Sequence, residues 1–267
     1  MGSNEHFVSM GDDDFVDEAV RIVESASKEN VILRLLGAMA IYVHSRNDDL
    51  VVQTMKEWGR LSGGHLFSDL DVVAYSKQRS NLVRFFERTL RFEPDKMVNA
   101  FFGQRRLIYY NQPAGYHVDI FFDRLEFSHT VQFGNAPGKG RLELDNPTIS
   151  LADIVLTKLQ IHDINLKDLK DLNILFLGHD VAKDYVNKET IDAGYIARVL
   201  SDDWGFWYDA TTNLKRTADL ARTDKISEET SNTIRSRISY LLSFIEGHPK
   251  TKSWEKRAKV GTERPWY

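Results

Sequence analysis

The pattern of hydrophobic and polar positions divides the chain into a first part of mixed period and a second part of almost purely helical period. Over residues 12–30, Phe15, Val16, Ala19, Val20, Ile22, Val23 and Ala26 recur at helical spacing behind a group of acids, which predicts an amphipathic helix. The β-branched opening of "VILRLLGAMAIYVHS" predicts a strand ending at Leu35, and Gly37 then marks a strand-to-helix turn where backbone and ligand approach closely. Residues 46–64 read as a polar connection ending in "SGGH", followed by a hydrophobic strand, "HLFSDLDVVAY". A helix is predicted over residues 79–92 with Arg79, Arg84, Arg88 and Arg91 at its polar positions. "RRLIYYN", "YHVDIFFD" and "GRLELD" read as strands separated by the turn chemistry of "QPAG" and "NAPGKG". From Ser150 onward, segments 150–162, 165–177, 189–201, 206–221 and 227–246 all carry helical periodicity.

This order predicts an α+β protein: an α/β domain over residues 1–148, a helical domain over 149–247 that helps to form the active-site cleft, and a loosely held polar tail over 248–267. With 267 residues and 42% hydrophobic content the chain can bury a full core. A net charge of -4 gives no global reason to expect nucleic acid or an anionic membrane as partner. The absence of cysteine excludes disulfides, thiolate nucleophiles and cysteine-ligated zinc. No apolar run approaches a membrane span, and the polar opening lacks the basic and apolar regions of a signal peptide, so the expected location is the cytoplasm and no membrane partner is expected.

The chemistry concentrates in three places. In a strand, Asp69 and Asp71 project to one side while Leu70 and Val72 pack on the other. Two close carboxylates repel unless a cation lies between them; the alternative is a solvated strand end. Asp119 sits among Val118, Ile120, Phe121 and Phe122, where a lone acid needs a partner: a metal ion shared with Asp69 and Asp71, or an ion pair with His117 or a neighbouring arginine. Lys158 falls near the middle of the apolar stripe of "SLADIVLTKLQI", so it either meets an anion such as a nucleotide triphosphate or snorkels to the surface. Asn165 and Asp168 make a helix start, with Asp168 also placed for an inward role and Asp171 at the edge of that face. His162 reads as a core histidine with its hydrogen bonds satisfied. The arginines at 79, 84, 88 and 91, with Arg105 and Arg106, form either a basic face for tRNA or another polyanion, or a solvated helix surface.

The order Gly37, Asp69-x-Asp71, Asp119 on a later strand, "TISLADIVLTKLQI" and "KDLKDL" resembles the nucleotidyltransferase fold of the DNA polymerase beta superfamily, over residues 31–177. More narrowly, it is similar to bacterial nucleotidyltransferase-like proteins related to the abortive-infection type IV toxins, and more distantly to aminoglycoside nucleotidyltransferases. The resemblance implies a mixed sheet flanked by helices and followed by a helical domain. It also implies transfer of a nucleoside monophosphate from an NTP to an acceptor hydroxyl, with pyrophosphate released. Asp69, Asp71 and Asp119 would then be the catalytic, metal-binding carboxylates for Mg²⁺ or Mn²⁺; Gly37 would lie under the phosphates, Lys158 would contact the triphosphate and Asp168 would match the family's last acidic position. The acceptor could be a small molecule, a tRNA or a protein hydroxyl, and a cognate antitoxin would be a partner. Ala38 and Met39 follow Gly37 where the family usually carries Gly or Ser and a further hydroxyl. The alternative is a non-catalytic nucleotide-binding or partner-binding module on the same fold.

Overall fold

The computed structural model describes residues 10–59, 65–223 and 226–267. The first nine residues of the polar opening and residues 62–64 of the "SGGH" end lie outside the described residues. The protein is α+β with a mixed sheet, and it divides into two compact units. The first consists of residues up to His44, Met55–Leu125 and Gln132–Ser150, and the second of Ser45–Thr54, Glu126–Val131 and Leu151–Tyr267. Among the described residues no helix is long and apolar enough to cross a membrane.

In the chain's first part the elements are α1 (Asp12–Lys28), β1 (Leu33–Leu35), α2 (Gly37–Ser45), α3 (Asp49–Trp58), β2 (Leu70–Ala74), α4 (Arg79–Arg84) with a wider-wound continuation over Phe85–Thr89, β3 (Glu93–Pro94), α5 (Lys96–Phe102), β4 (Arg106–Asn111) and β5 (Tyr116–Phe122). Five strands form one sheet in the order β1-β2-β5-β4-β3. β2 and β5 are parallel, with Asp71 opposite Asp119; the other pairs are antiparallel. One face of β5 presents Tyr116, Val118, Ile120 and Phe122, all buried, as the strand's alternation requires. Aromatic contacts bind that face to the helices: Phe15 of α1 lies 4.8 Å from the Tyr116 ring, and Phe86 stacks on Tyr109 at 5.0 Å. These contacts and the buried stripe Phe15, Val16, Ala19, Ile22, Val23 and Ala26 explain why α1 forms where the periodicity places it.

Three departures from the sequence reading have local causes. Residues 46–64 contain α3, whose buried Val51 and Met55 alternate with polar residues that mask the period. α5 shows no core-facing stripe, since Met97, Phe101 and Phe102 are all exposed. "GRLELD" forms turns instead of a strand. Its amides are used elsewhere: Arg141 donates to the Phe133 carbonyl at 2.7 Å and Leu142 to the Tyr75 hydroxyl at 3.0 Å, with Gly140 pressed so close to Tyr75 that a side chain would collide.

The later elements are a short pair β6 (Arg124–Glu126) and β7 (Thr130–Gln132), then α6 (Leu151–Leu159), α7 (Leu166–Gly178), the parallel pair β8 (Asp180–Ala182) and β9 (Thr190–Asp192), α8 (Ala193–Leu200), α9 (Trp204–Thr223), α10 (Glu228–Gly247) and α11 (Lys252–Ala258). In the second unit α6 is buried along its whole length, at the centre of the helices. Asn213 of α9 donates to the Ile161 carbonyl at 2.8 Å and Arg237 of α10 to the Leu177 carbonyl at 2.6 Å, satisfying backbone acceptors beyond α6 and at the end of α7. Residues 248–267, expected to be loosely held, include α11 and end with Trp266 donating its indole N–H to buried Asp209 at 3.1 Å. The aromatics Trp254 and Trp266, read as part of a polar tail, supply the apolar contact that holds it.

Candidate active site

The side of the five-stranded sheet opposite the aromatic core face carries the acids. Register places Asp119 beside Asp71, and two residues earlier on each segment the Asp69 carboxylate is 3.7 Å from His117 Nε2. On the other side of β5, Ile108 of β4 lies opposite Asp119 and Arg106 lies opposite Phe121. Asp69 sits one residue before β2 and, like Asp71, is half-buried, whereas Asp119 is buried.

Gly37 adjoins the same point. The Leu36 amide donates to the Asp71 carbonyl at 2.9 Å, fixing the end of β1 against β2, and Gly37 follows with φ of 59°. A Cβ at Gly37 would stand 3.2 Å from Asp71 Oδ2, so glycine both permits the left-handed turn and leaves room for the carboxylate. α2 starts there, so its N-terminal amides open beside Asp71.

Arg106 was read from the sequence only as one member of a basic group. Both Asp119 oxygens accept from its guanidinium, from Nε and from Nη2. These hydrogen bonds hold the guanidinium above its ordinary pKa; burial opposes them, and the charges of Asp119, Asp71 and Asp69 reinforce them. Arg106 is therefore a counter-ion to all three acids, and it is the neighbouring arginine that Asp119 required. The signal that could have found it is the two-residue offset between Arg106 and Ile108 once β4 and β5 are paired antiparallel.

Lys158 and Asp168 lie in the second unit. The inward lysine meets its anions within the chain, with Asp168 Oδ1 at 2.6 Å and Asp171 Oδ2 at 2.8 Å. Asp171, read as a residue at the edge of the helix face, is in fact the most buried member, at 1% side-chain exposure. Asn165 caps α7 by accepting from the Asp168 amide at 3.0 Å, as its position predicted. His162 is half-buried and not a core histidine, with Nδ1 2.9 Å from Asp209 Oδ1.

The chemistry of Asp69, Asp71 and Asp119 fits a hard divalent cation, since all are carboxylates on one face and two are adjacent in register. Among the described residues, however, no group of three or more His, Asp or Glu is placed to hold a metal ion.

No protein-family model and no curated protein matches the chain. Among solved structures it is similar to the antibiotic-resistance factor ANT(2'')-Ia, with 14% identity, coverage of 89% of this chain and 97% of that one, and a TM-score of 0.33. A likeness at that level carries no argument about the site, which stands on its own geometry.

Proposed function

We propose that the protein is a metal-dependent nucleotidyltransferase that moves a nucleoside monophosphate from an NTP to an acceptor hydroxyl. The observation that carries this reading is the register of Asp71 against Asp119 on parallel strands, with the Gly37 turn and the start of α2 at Asp71. Asp69, Asp71 and Asp119 would hold Mg²⁺ or Mn²⁺. When bound, the cation would neutralise the triphosphate and the charge that develops during in-line displacement at phosphorus. The Gly37 backbone admits phosphate oxygens close to the amides at the start of α2. In this reading Asp119 would accept the acceptor's proton as the new oxygen–phosphorus bond forms and the bond to pyrophosphate breaks.

Roles for Lys158 and Asp168 at the triphosphate rest on the sequence resemblance, as do kinship with abortive-infection toxin-like proteins and a cognate antitoxin. The acceptor classes remain a small molecule, a tRNA and a protein hydroxyl. The experiment supplies Mg²⁺, each α-labelled NTP in turn, and a cell extract separated into RNA, protein and small molecules. Label transfer that disappears in Asp71→Ala supports the reading and identifies the acceptor class. Transfer that persists in Asp71→Ala overturns it.

A second reading, a non-catalytic nucleotide-binding module, is favoured by one observation: Arg106 satisfies both oxygens of Asp119. It predicts nucleotide binding that Asp71→Ala leaves intact and no label transfer to any fraction.

A further inference from the structure

At the end of β5 the first unit has a cavity of about 490 Å³, within the size range of small-molecule sites. Arg105, Arg124 and Lys139 line it together with one acid, Asp123, so a chain of net charge -4 gathers a net charge of +2 around this space. Charge of one sign along a concave wall concentrates the field there. The acid is tied to the backbone, since the Asp123 carboxylate accepts from the Ser76 amide at 2.8 Å. The carboxamides of Gln104, Gln132 and Asn135 add N–H donors, and buried Phe122 supplies an apolar part of the wall.

The three cations come from separate segments whose backbones are pinned. The Arg105 carbonyl accepts from the Phe122 amide at 3.0 Å, and the Asp123 carbonyl, just before Arg124, accepts from the Phe133 amide at 2.7 Å. Asp123 makes its turn in the left-handed region, with φ of 65°. The Lys139 amide donates to the Ala136 carbonyl at 3.1 Å, and beside it Gly134 passes Gly140 so tightly that a Cβ would stand 2.5 Å from the Gly140 Cα. The walls are therefore set before a ligand arrives, and ordering the side chains is the main cost of binding. Asp119 lies earlier on β5 than Phe122, on the order of 10 Å along the strand, so one phosphate group cannot touch both places.

We propose that this cavity binds the phosphate group of a small phosphorylated molecule. A phosphomonoester carries about two negative charges near neutral pH and three strong acceptor oxygens, which match the net charge and the donors of the lining. Arg105 and Arg124 supply planar forks for those oxygens, and Lys139 a compact charge. The apolar Phe122 wall and the concave shape suit a sugar-sized body attached to the phosphate better than the open backbone of a nucleic acid.

The test titrates the full chain, by calorimetry at low ionic strength, with glucose 6-phosphate, inorganic phosphate, glucose and a short single-stranded RNA. It compares the wild type with Arg124→Gln, with the double variant Arg105→Gln/Lys139→Gln, and with Arg84→Gln/Arg88→Gln, which removes the same charge from exposed positions outside the cavity. Circular dichroism checks that each is folded. The expected result is that both phosphates bind the wild type and glucose does not, that affinity falls roughly tenfold or more in Arg124→Gln and in Arg105→Gln/Lys139→Gln, and that Arg84→Gln/Arg88→Gln binds as the wild type does. Absence of phosphate binding by the wild type, equal binding of glucose, or losses no larger than in Arg84→Gln/Arg88→Gln overturn the proposal. RNA binding that the cavity variants weaken, with neither small phosphate bound, overturns it in favour of a nucleic-acid contact. If Arg124→Gln does not fold, Arg105→Gln/Lys139→Gln decides alone: weaker phosphate binding supports the cavity site and unchanged binding overturns it.

Discussion

At the scale of single residues, Gly37 and Asp209 show how local geometry fixes a property. Gly37→Ala forces a side chain into the left-handed region, at a cost of roughly 1–2 kcal/mol, and presses a methyl against the Asp71 carboxylate. Thermal unfolding should show a modest loss of stability, while nucleotidyl transfer should fall far more, by about a hundredfold, since placement errors near the reacting atoms are costly. Asp209 is buried in the second unit. Burial, the largest single influence, raises its pKa, but hydrogen bonds from His129, His162 and Trp266 outweigh burial and hold it below the ordinary range. The unfolded chain therefore binds the Asp209 proton more readily than the folded chain. Its contribution to stability is full above the unfolded value of about 3.9 and is lost as pH falls through the lower folded value. Urea unfolding of the wild type should weaken with acid over that window more steeply than that of Asp209→Asn. Equal slopes would show that Asp209 is not responsible.

At the scale of elements, α6 and α7 are joined by the buried group of Lys158, Asp168 and Asp171. Removing the lysine leaves two carboxylates without their cation, so Lys158→Ala should cost about 3–5 kcal/mol in chemical denaturation. Replacing all three by apolar residues of similar volume should cost much less than the single change. α6, α7, α9 and α10 were legible from their helical apolar periodicity, and Asn165 announced the start of α7, whereas 189–201 read as one helix although β9 occupies Thr190–Asp192, and α11 was missed in the polar tail. α5 was not legible, because a seven-residue helix with exposed Met97, Phe101 and Phe102 leaves no period that points to a core. Asp119 was legible as an acid in need of a partner, since its neighbours in sequence are apolar. Which arginine partners it was not, because that depends on the pairing of β4 with β5, a tertiary fact absent from either strand alone. Asp171 was misplaced for a related reason: projection onto an ideal helix gives a direction but not the neighbour that fills it.

At the scale of the whole molecule, each unit is closed by a segment distant in sequence. In the first, Leu35 donates to the Pro147 carbonyl at 2.9 Å and Ile149 to the Leu35 carbonyl at 3.2 Å, so the chain returns to cover the edge of β1. In the second, the C-terminal residues bring Trp266 to Asp209 and lay Tyr267 on His162, ring centroids 3.8 Å apart. Trp266→Phe removes the indole donor while keeping an aromatic ring, and should destabilise the second unit by about 1–3 kcal/mol, read from the unfolding midpoint. The sheet face opposite the aromatic core then carries the central claim, that Asp71 and Asp119 lie in register to perform nucleotidyl transfer. The most direct measurement is pyrophosphate release from each NTP with Mg²⁺ and the acceptor-containing fraction, comparing wild type with Asp71→Asn and Asp119→Asn, all shown to be folded. The account predicts release by the wild type and a loss of at least about a hundredfold in each variant. Release that is unchanged in both folded variants, or no release from any NTP with any fraction, would contradict it.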